Sequence, residues 1–406
     1  MPGRVVSPGV VIGILGPTGV GKTQVGIALA ARLGVRVISC DSLQIYRGMP
    51  VLTNQPSATE INAVPHEMIG VADPTEEWSA ARYAQAVRPL IDADLARVGH
   101  ALLVGGTGLY MRAAVGPLAA PPPTPPALQA ELEARAECDG PEALHRELAL
   151  LDATAAASIH PRNVRRVVRA LGALLATRGA VTDVASVEPS VGASPGVSRA
   201  PCAAQVSGKT AGGSSVMRSA EKVAGRMAQE GAGGAAQAGA REAASVGTGE
   251  AARKKPYQWS GRSDLWAPRY HHPTVLVGLT LPREELHRRI NTRTREMLRA
   301  GAVQEAAAVL AAHPGGQGGR DLERGIGKAI GFRIIAEHLA GGLGHDEVEG
   351  RLAAATRGYA RRQLTWMRKV PDIVIMDVSE RDPVAVAADI HAHVRERSAL
   401  LSNTGQ

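Results

Sequence analysis

The segment Gly16-Pro-Thr-Gly-Val-Gly-Lys-Thr23 constrains the fold of this 406-residue chain more than any other feature. It has the pattern G-x-x-x-x-G-K-[ST], it follows an apolar run, and an Ala- and Leu-rich helical pattern comes after it. A strand, a glycine-rich loop and a helix in this order predict a phosphate-binding loop, in which backbone N–H groups and the helix N-terminus hold an anion. We therefore predict a phosphate site formed by Gly16, Pro17, Thr18, Gly19, Val20, Gly21, Lys22 and Thr23, with the Thr23 hydroxyl as a ligand of the cofactor Mg²⁺.

The segments around this loop predict an α/β core over residues 8–116. Buried strands of β-branched and leucine residues, at 35–41 and 100–105, alternate with amphipathic helices such as 79–99. This alternation is typical of a parallel sheet that is covered on both faces. The predicted fold class is α/β, with a parallel sheet core of the P-loop NTPase type.

A helical region interrupts this pattern at residues 117–183. It opens with the run PLAAPPPTPPAL, which cannot continue a helix or a central strand, and the remainder has mostly helical periodicity. A buried strand then returns at 273–281, followed by a charged helix. We therefore predict a helical domain inserted within the core, whose remainder spans residues 263–395.

Between these parts, residues 184–262 differ in composition. They consist largely of alanine, glycine and serine, with few large apolar side chains. Such a segment cannot bury enough apolar surface to offset the entropy of ordering its backbone. We predict a long disordered insertion here.

Charge and cysteine content narrow the class of protein. The net charge is +8 and the isoelectric point is near 9.7, which favours an anionic partner such as nucleic acid. The three cysteines lack C-x-x-C spacing, so they indicate neither a zinc site nor a disulfide framework. No apolar run reaches the roughly 18 residues of a membrane span. We expect a soluble, cytoplasmic protein with no membrane partner.

Nucleotide hydrolases and kinases with such a loop usually hold Mg²⁺ with a second acid at the end of an apolar strand. The strand ALLVGG ends in glycine, whereas VRVISCD ends in Asp41. Asp377 also ends an apolar run, but it lies far along the chain with no site residues around it. Asp41 is therefore the candidate acid, and its alternative is an N-cap without chemistry, since Asp is a favoured capping residue.

Eight blocks in order resemble the tRNA dimethylallyltransferase family, also known as tRNA isopentenyltransferases or IPP transferases. The blocks lie between residue 10 and about residue 370 and leave out the low-complexity insertion. They read GPTGVGKT, DSLQIYRGM, VPHEMIGVADPTEEWSAARYA, LLVGGTGLY, IHPRNVRRVVRAL, REELHRRINTRTREMLRAG, AIGFRIIAEHL and TRGYARRQLTWMRK.

The resemblance implies a reaction in which diphosphate is the leaving group. Dimethylallyl diphosphate would occupy the loop, and N6 of the adenine just 3′ of the anticodon would attack its allylic carbon, in tRNAs reading codons that begin with U. By position, Asp41 resembles the general base on the adenine amine, while Thr18 and Arg293 resemble the pair that contacts the diphosphate. These three residues are the candidate catalytic residues.

The resemblance also implies contacts with the anticodon stem-loop of tRNA. The matching positions are Asp41, Ser42, Leu43, Gln44, Thr107, Gln129, Arg165, Arg166 and Arg169, although relatives often carry arginine where Gln129 stands. Independently of the resemblance, Arg162 and the three other arginines have helical spacing, which predicts four cations on one helix face. A solvated face is the plain alternative, but no acid is interleaved among these arginines.

Two other enzyme classes remain open from the sequence. An adenylate isopentenyltransferase, which forms cytokinins, would share the loop and the aspartate, but the arginine face and the inserted helices favour tRNA. A small-molecule kinase using ATP is weakened by the missing second acid. We expect a monomer.

Overall fold

The computed structural model describes residues 9–117, 124–182, 269–314 and 317–403. The predicted insertion at 184–262 lies outside these residues. The chain divides into two compact units, and the described part of the second unit is residues 124–182. The other described residues belong to the first unit.

A single parallel sheet forms the centre of the first unit. Its strands, within the described residues, are β1 (Val10–Leu15), β2 (Val37–Ser39), β3 (His66–Glu67), β4 (His100–Gly105), β5 (Thr274–Thr280) and β6 (Val374–Asp377). They are arranged in the order β3-β2-β4-β1-β5-β6, and every pairing is parallel. In the register, Ile12 of β1 lies between Leu102 of β4 and Val275 of β5. The predicted α/β class with a parallel sheet is confirmed.

Both faces of the sheet are covered by helices. On one face, α1 (Lys22–Leu33) packs with the last helix, α15 (Pro383–Asn403), against Ile12 and Ile14. On the other face, α4 (Ala80–Val98) and α5 (Gly108–Val115) pack against alternate residues of the same strand. The continuous apolar run of β1 follows from this arrangement, because both sets of its side chains are buried.

A second hydrophobic cluster of the first unit draws on α2 (Pro50–Thr53), α10 (Arg283–Arg299), α11 (Ala302–Ala312), α12 (Gln317–Arg324), α13 (Phe332–Leu339) and α14 (His345–Met367). The remaining described α-helix of this unit, α3 (Ala58–Ala63), has no buried residue. Phe332 and Ile335 of α13 are fully buried in this cluster, together with Ile45 and Met49 from the segment after β2. The cluster therefore fixes the loop that follows β2.

The described part of the second unit is entirely helical and has its own core. It contains α6 (Pro126–Cys138), α7 (Pro141–Leu151), α8 (Ala153–Ser158) and α9 (Val164–Thr182). Leu132, Leu144, Leu148 and Leu171 are buried together between these helices. The helical periodicity of this region is confirmed, although α6 already begins at Pro126, within the proline-rich run. Proline is tolerated in the first turn of a helix, because its missing N–H would have no partner there.

The strand that returns after the helical region lies beside β1, near the centre of the sheet. Residues Val11–Leu15 of β1 pair with Thr274–Gly278 of β5. The core is therefore built from two stretches of chain, one before and one after the helical unit in the sequence, as predicted. Within the described residues, no helix has the length and apolar character that crossing a membrane would require.

Candidate active site at the carboxyl ends of the strands

The phosphate-binding loop connects β1 to α1 with the backbone geometry that its glycines permit. Gly21 has a φ of 98° and stands directly before Lys22, the first residue of α1. No atom lies within 4 Å of a Cβ built at Gly21, so the left-handed backbone conformation alone accounts for glycine there. The N-terminus of α1 thereby opens onto the carboxyl edge of the sheet, where α/β folds place their ligands.

A cavity of about 240 Å³ adjoins this loop. Its wall contains five predicted phosphate-site residues, along with Asp41, Gln44 and Arg293, and parts of β2, β4 and the loop after β2. The five loop residues are Thr18, Gly19, Gly21, Lys22 and Thr23. Val20 instead packs in the hydrophobic core, so any phosphate contact of Val20 would come from its backbone. The structure thus gathers residues from the loop, the end of β2 and α10 around one cavity.

Lys22 supplies a cation at the cavity wall. Its Nζ donates a hydrogen bond to the Pro17 carbonyl at 2.9 Å, within the loop itself. Desolvation lowers the pKa of Lys22 to about 8, although the nearby Asp41 opposes this shift. The ammonium group is therefore still largely charged near neutral pH and loses its proton at moderately alkaline pH.

Arg293 reaches the loop from α10. Its Nη1 donates to the Thr18 Oγ1 at 2.7 Å, so the guanidinium stands at the entrance of the phosphate-binding loop. Burial lowers the pKa of Arg293, while Asp41 raises it. An arginine remains charged under such a shift, because its ordinary pKa is above 12. The pair predicted from the sequence is therefore in contact.

Asp41 follows β2 and begins a turn instead of a helix. Its Oδ1 accepts a hydrogen bond from the Leu43 N–H at 2.9 Å, and residues 42–45 form a turn. The helix N-cap alternative is wrong, since the next helix, α2, begins at Pro50. Burial raises the pKa of Asp41, and the Leu43 N–H, Lys22 and Arg293 oppose that rise. Asp41 is the only carboxylate among the described residues that line the cavity.

The residues after Asp41 are held by Thr107 and by the loop that follows them. Thr107 Oγ1 accepts the Ser42 N–H at 3.0 Å and donates to the Ser42 hydroxyl at 3.2 Å. Gln44 accepts a hydrogen bond from the Ser39 hydroxyl at 2.8 Å, and Leu43 packs beside the second hydrophobic cluster. The predicted segment 41–44 and Thr107 are therefore held next to the cavity by hydrogen bonds and packing.

The other predicted tRNA-contacting residues lie on the helical unit. Gln129 is exposed on α6 and donates to Glu133 at 2.9 Å. Arg165, Arg166 and Arg169 are exposed on α9, and no ion pair among the described residues involves them. The prediction that Arg162 shares this helix face is wrong, because α9 begins at Val164 and Arg162 stands in the preceding turn.

Several residues at the site were not predicted from the sequence. Gln363 of α14 accepts a hydrogen bond from the Thr18 N–H at 2.8 Å. The block TRGYARRQLTWMRK contains Gln363, but the resemblance gave this residue no role at the site. Thr53 and Asn54 line the cavity from the end of α2, and His66 and Ile69 line it from β3 and the residues just after β3. Neither spacing nor composition indicates these positions, because each reaches the site only through the packing of its element.

Two family models match the chain. A model described as IPP transferase matches residues 44–202 and 242–370, and one described as isopentenyl transferase matches residues 9–69. The tRNA dimethylallyltransferase of Thermomicrobium roseum is 33% identical over 91% of this chain and 87% of its own length. That of Chromohalobacter salexigens is 33% identical over 87% of this chain and 88% of its own.

Solved structures have the same fold. The tRNA isopentenylpyrophosphate transferase of Bacillus halodurans is similar with a TM-score of 0.55 and 28% identity, over 97% of this chain and 98% of that one. A eukaryotic dimethylallyltransferase acting on tRNA has a TM-score of 0.61 over 92% of this chain and 74% of that one. At 21% identity, the second comparison concerns the fold alone.

Proposed function

Since the chain belongs to the IPP transferase family, we propose that it transfers a dimethylallyl group from dimethylallyl diphosphate to N6 of an adenine in tRNA. The acceptor would be the adenine just 3′ of the anticodon, in tRNAs that read codons beginning with U. The products are N6-isopentenyladenosine, diphosphate and a proton. The observation that carries the proposal is the placement of Asp41 on the same cavity as Lys22, Thr23 and Arg293.

Asp41 suits the role of general base on the adenine amine. The neutral amine is a weak nucleophile, so a carboxylate that accepts its proton as the carbon–nitrogen bond forms accelerates the step. A pKa raised by burial makes Asp41 a stronger base than an exposed aspartate. The Leu43 N–H holds Oδ1 of this carboxylate, and Asp41 lines the cavity into which the adenine amine would enter.

The cations of the loop suit the departure of diphosphate. As the allylic carbon–oxygen bond breaks, negative charge grows on the leaving oxygen, and fixed cations there stabilise the transition state more than the ground state. Arg293 is held at the loop by Thr18, and Lys22 lies at its floor. Both residues are partly buried, where water screens such charges less than at the surface.

Mg²⁺ is part of the proposal, with Thr23 as its protein ligand. Mg²⁺ commonly takes few ligands from the protein and the rest from substrate phosphates and water. The cavity is compatible with this pattern, because Thr23 is among its lining residues and its hydroxyl would be the protein ligand. The ion would offset charge on the diphosphate.

The tRNA would be held by two sets of residues. Ser42, Leu43, Gln44 and Thr107 lie at or beside the cavity, where an unstacked adenine would be read. Arg165, Arg166 and Arg169 of the helical unit would contact backbone phosphates, and Gln129 would add a polar contact there. Extruding a base costs least in a loop that is already single-stranded, which favours the anticodon loop as the substrate.

The alternative acceptor is a free adenine nucleotide. The match of residues 9–69 to the isopentenyl transferase model covers the loop and Asp41, which such enzymes would share. The relatives aligned over most of the chain, however, are tRNA dimethylallyltransferases. A mononucleotide would also be too small to account for the exposed arginines of the helical unit, whereas the phosphates of tRNA could pair with them.

The test is incubation of the purified protein with dimethylallyl diphosphate, Mg²⁺ and an unmodified tRNA, followed by nucleoside mass analysis. We expect one adenosine to gain a C₅H₈ unit, with release of one diphosphate per modified tRNA. Parallel reactions with adenosine monophosphate, and with ATP in place of the prenyl donor, test the alternatives. Prenylation of the mononucleotide alone, or phosphate transfer from ATP, would overturn the proposal.

Two further expectations remain proposals. The enzyme would act in the cytoplasm, where tRNA is available, and as a monomer. Sedimentation of the purified protein with and without tRNA tests the second expectation.

A further inference from the structure

Gln363 of α14 hydrogen-bonds to two loops, one that would bind the prenyl donor and one that holds the segment that would contact the adenine. Its Oε1 accepts the N–H of Thr18 at 2.8 Å, and its Nε2 donates to the carbonyl of Gly106 at 3.0 Å. Only 7% of the residue is exposed. Its amide therefore has one partner in the phosphate-binding loop and the other in the turn after β4.

The two partners lead to different halves of the site. Thr18 also accepts the hydrogen bond from Arg293, on the side of the diphosphate. Gly106 immediately precedes Thr107, whose hydroxyl holds the backbone of Ser42 beside Asp41. A single side chain thus bonds both the loop that would bind the donor and the turn that holds the acceptor segment, beyond the point where the paired strands β1 and β4 end.

The contact with Gly106 is close, and a larger residue at that position would displace the Gln363 amide. A Cβ built at Gly106 would lie 2.0 Å from Nε2 of Gln363, a distance that real Cβ contacts do not reach. This close approach accounts for glycine in the GGTG segment at this position.

An amide is the neutral group suited to both partners. It must accept from an N–H on one side and donate to a carbonyl on the other, and the glutamine amide does both without charge. A glutamate carboxylate accepts from Thr18 but turns an oxygen toward the Gly106 carbonyl, whereas a protonated glutamic acid again offers a donor.

We propose that Gln363 is a positioning residue that aligns the Thr18–Arg293 pair with the Asp41 segment, so that the bound donor and the adenine meet in reacting geometry. The inference rests on the proposed prenyl transfer. Gln363 contacts neither reacting atom in this proposal; it acts through Thr18 and Gly106. Misplacing reacting groups by about 1 Å costs on the order of 100-fold in rate, so we expect loss of this alignment to lower kcat.

The test compares Gln363→Glu and Gln363→Met with the wild-type enzyme in kcat, in KM for each substrate and in pH dependence. We expect Gln363→Met to reduce kcat by about 10- to 100-fold with little change in donor KM. For Gln363→Glu we expect a deficit at neutral pH that shrinks, relative to wild type, as the pH falls and the carboxyl becomes a donor. Gln304→Glu, the same change at an exposed position of α11, is the matched control.

The groups that titrate around this amide are Lys22 and Arg293 at the loop, Asp41 after β2, and Tyr359 on α14. All of them remain in the variant, so the ratio of variant to wild-type rates reports the new carboxyl together with any change that it causes in the pKa of these neighbours. A ratio that stays constant with pH, or a decrease confined to melting temperature with unchanged kcat, would overturn the inference. Absence of prenyl transfer in the wild type would instead overturn the proposed function.

Discussion

Arg293 donates from its Nη1 to the Thr18 Oγ1 across 2.7 Å, although 275 positions separate the two residues along the chain. The contact joins α10 to the phosphate-binding loop and requires β5 to lie beside β1, because α10 begins three residues after β5 ends. It brings a partly buried guanidinium to the position where the proposed leaving group would develop charge.

Removal of the Arg293 charge is therefore expected to slow the chemical step. We expect Arg293→Ala to reduce kcat by about 10²- to 10³-fold, the range found when one transition-state donor is removed. Rapid-mixing measurement of prenyl transfer at saturating donor and tRNA checks this expectation. The control is Arg295→Ala, which removes an exposed arginine two positions away on the same helix. Equal activity of the two variants would contradict the role.

Neutralisation of Asp41 should separate catalysis from donor binding. Asp41→Asn keeps an oxygen that can accept the Leu43 N–H, so the turn should persist. We expect kcat to fall by about 10²- to 10⁴-fold, the usual contribution of a general base, while donor affinity changes little. Loss of Mg²⁺ dependence or of donor affinity would instead indicate that Asp41 is a metal ligand.

The same variant should not lose stability at neutral pH. Burial raises the folded-state pKa of Asp41 above its unfolded value, so the ionised carboxylate disfavours the fold above the folded pKa. Below the unfolded pKa the group is protonated in both states, and this cost vanishes. We expect Asp41→Asn to melt at or above the wild-type temperature near pH 7, and the difference to shrink in acid. A lower melting temperature near pH 7 would show that the carboxylate stabilises the fold.

Donor binding should weaken at alkaline pH because of Lys22. Its pKa of about 8 means that the free enzyme loses this ammonium charge as the pH rises through that value. We expect kcat/KM for dimethylallyl diphosphate to fall on that limb, since kcat/KM reports groups of the free enzyme. Lys22→Ala should lower donor affinity at neutral pH and remove the limb. A limb that survives in the variant belongs to another group.

The exposed arginines of α9 should govern tRNA affinity. Each arginine that no longer neutralises a phosphate is expected to reduce the slope of log affinity against log salt by about one unit. Arg165→Gln combined with Arg169→Gln should therefore raise KM for tRNA, flatten the salt dependence and leave donor KM unchanged. Arg146→Gln, an exposed arginine of α7 on the same unit, is the control. An unchanged salt slope would show that these arginines are solvated surface residues that contact no phosphate.

Local pattern was sufficient for much of the fold. The glycine-rich loop predicted a strand before it and a helix after it, and the structure places β1 and α1 there. The largely apolar runs at 35–41, 100–105 and 273–281 predicted strands, because a strand buried on both faces of a sheet has mostly apolar side chains. The short strand β3, with two half-buried polar residues, gave no such signal.

Family resemblance, and not pattern, selected Arg293, Thr107 and Gln129 as candidate site residues outside the loop. Arg293 is one of several arginines on its helix, and neither charge nor spacing distinguishes it from Arg295. Asp41 was equally consistent with a helix cap until the structure showed a turn after it. Arg162 was assigned to a helix face by spacing alone, and the helix begins two residues later.

The sequence by itself determined which segments form strands and helices and where an anion can bind, since those properties depend on neighbouring residues and on backbone conformation. Only the tertiary structure decided which distant side chains meet at the anion site. Arg293 and Gln363 both contact Thr18, one by a guanidinium and one by an amide, from two different helices. Their meeting depends on the strand order β4-β1-β5 and on the packing of α10 and α14, which arise from the burial of many residues together and not from any one segment.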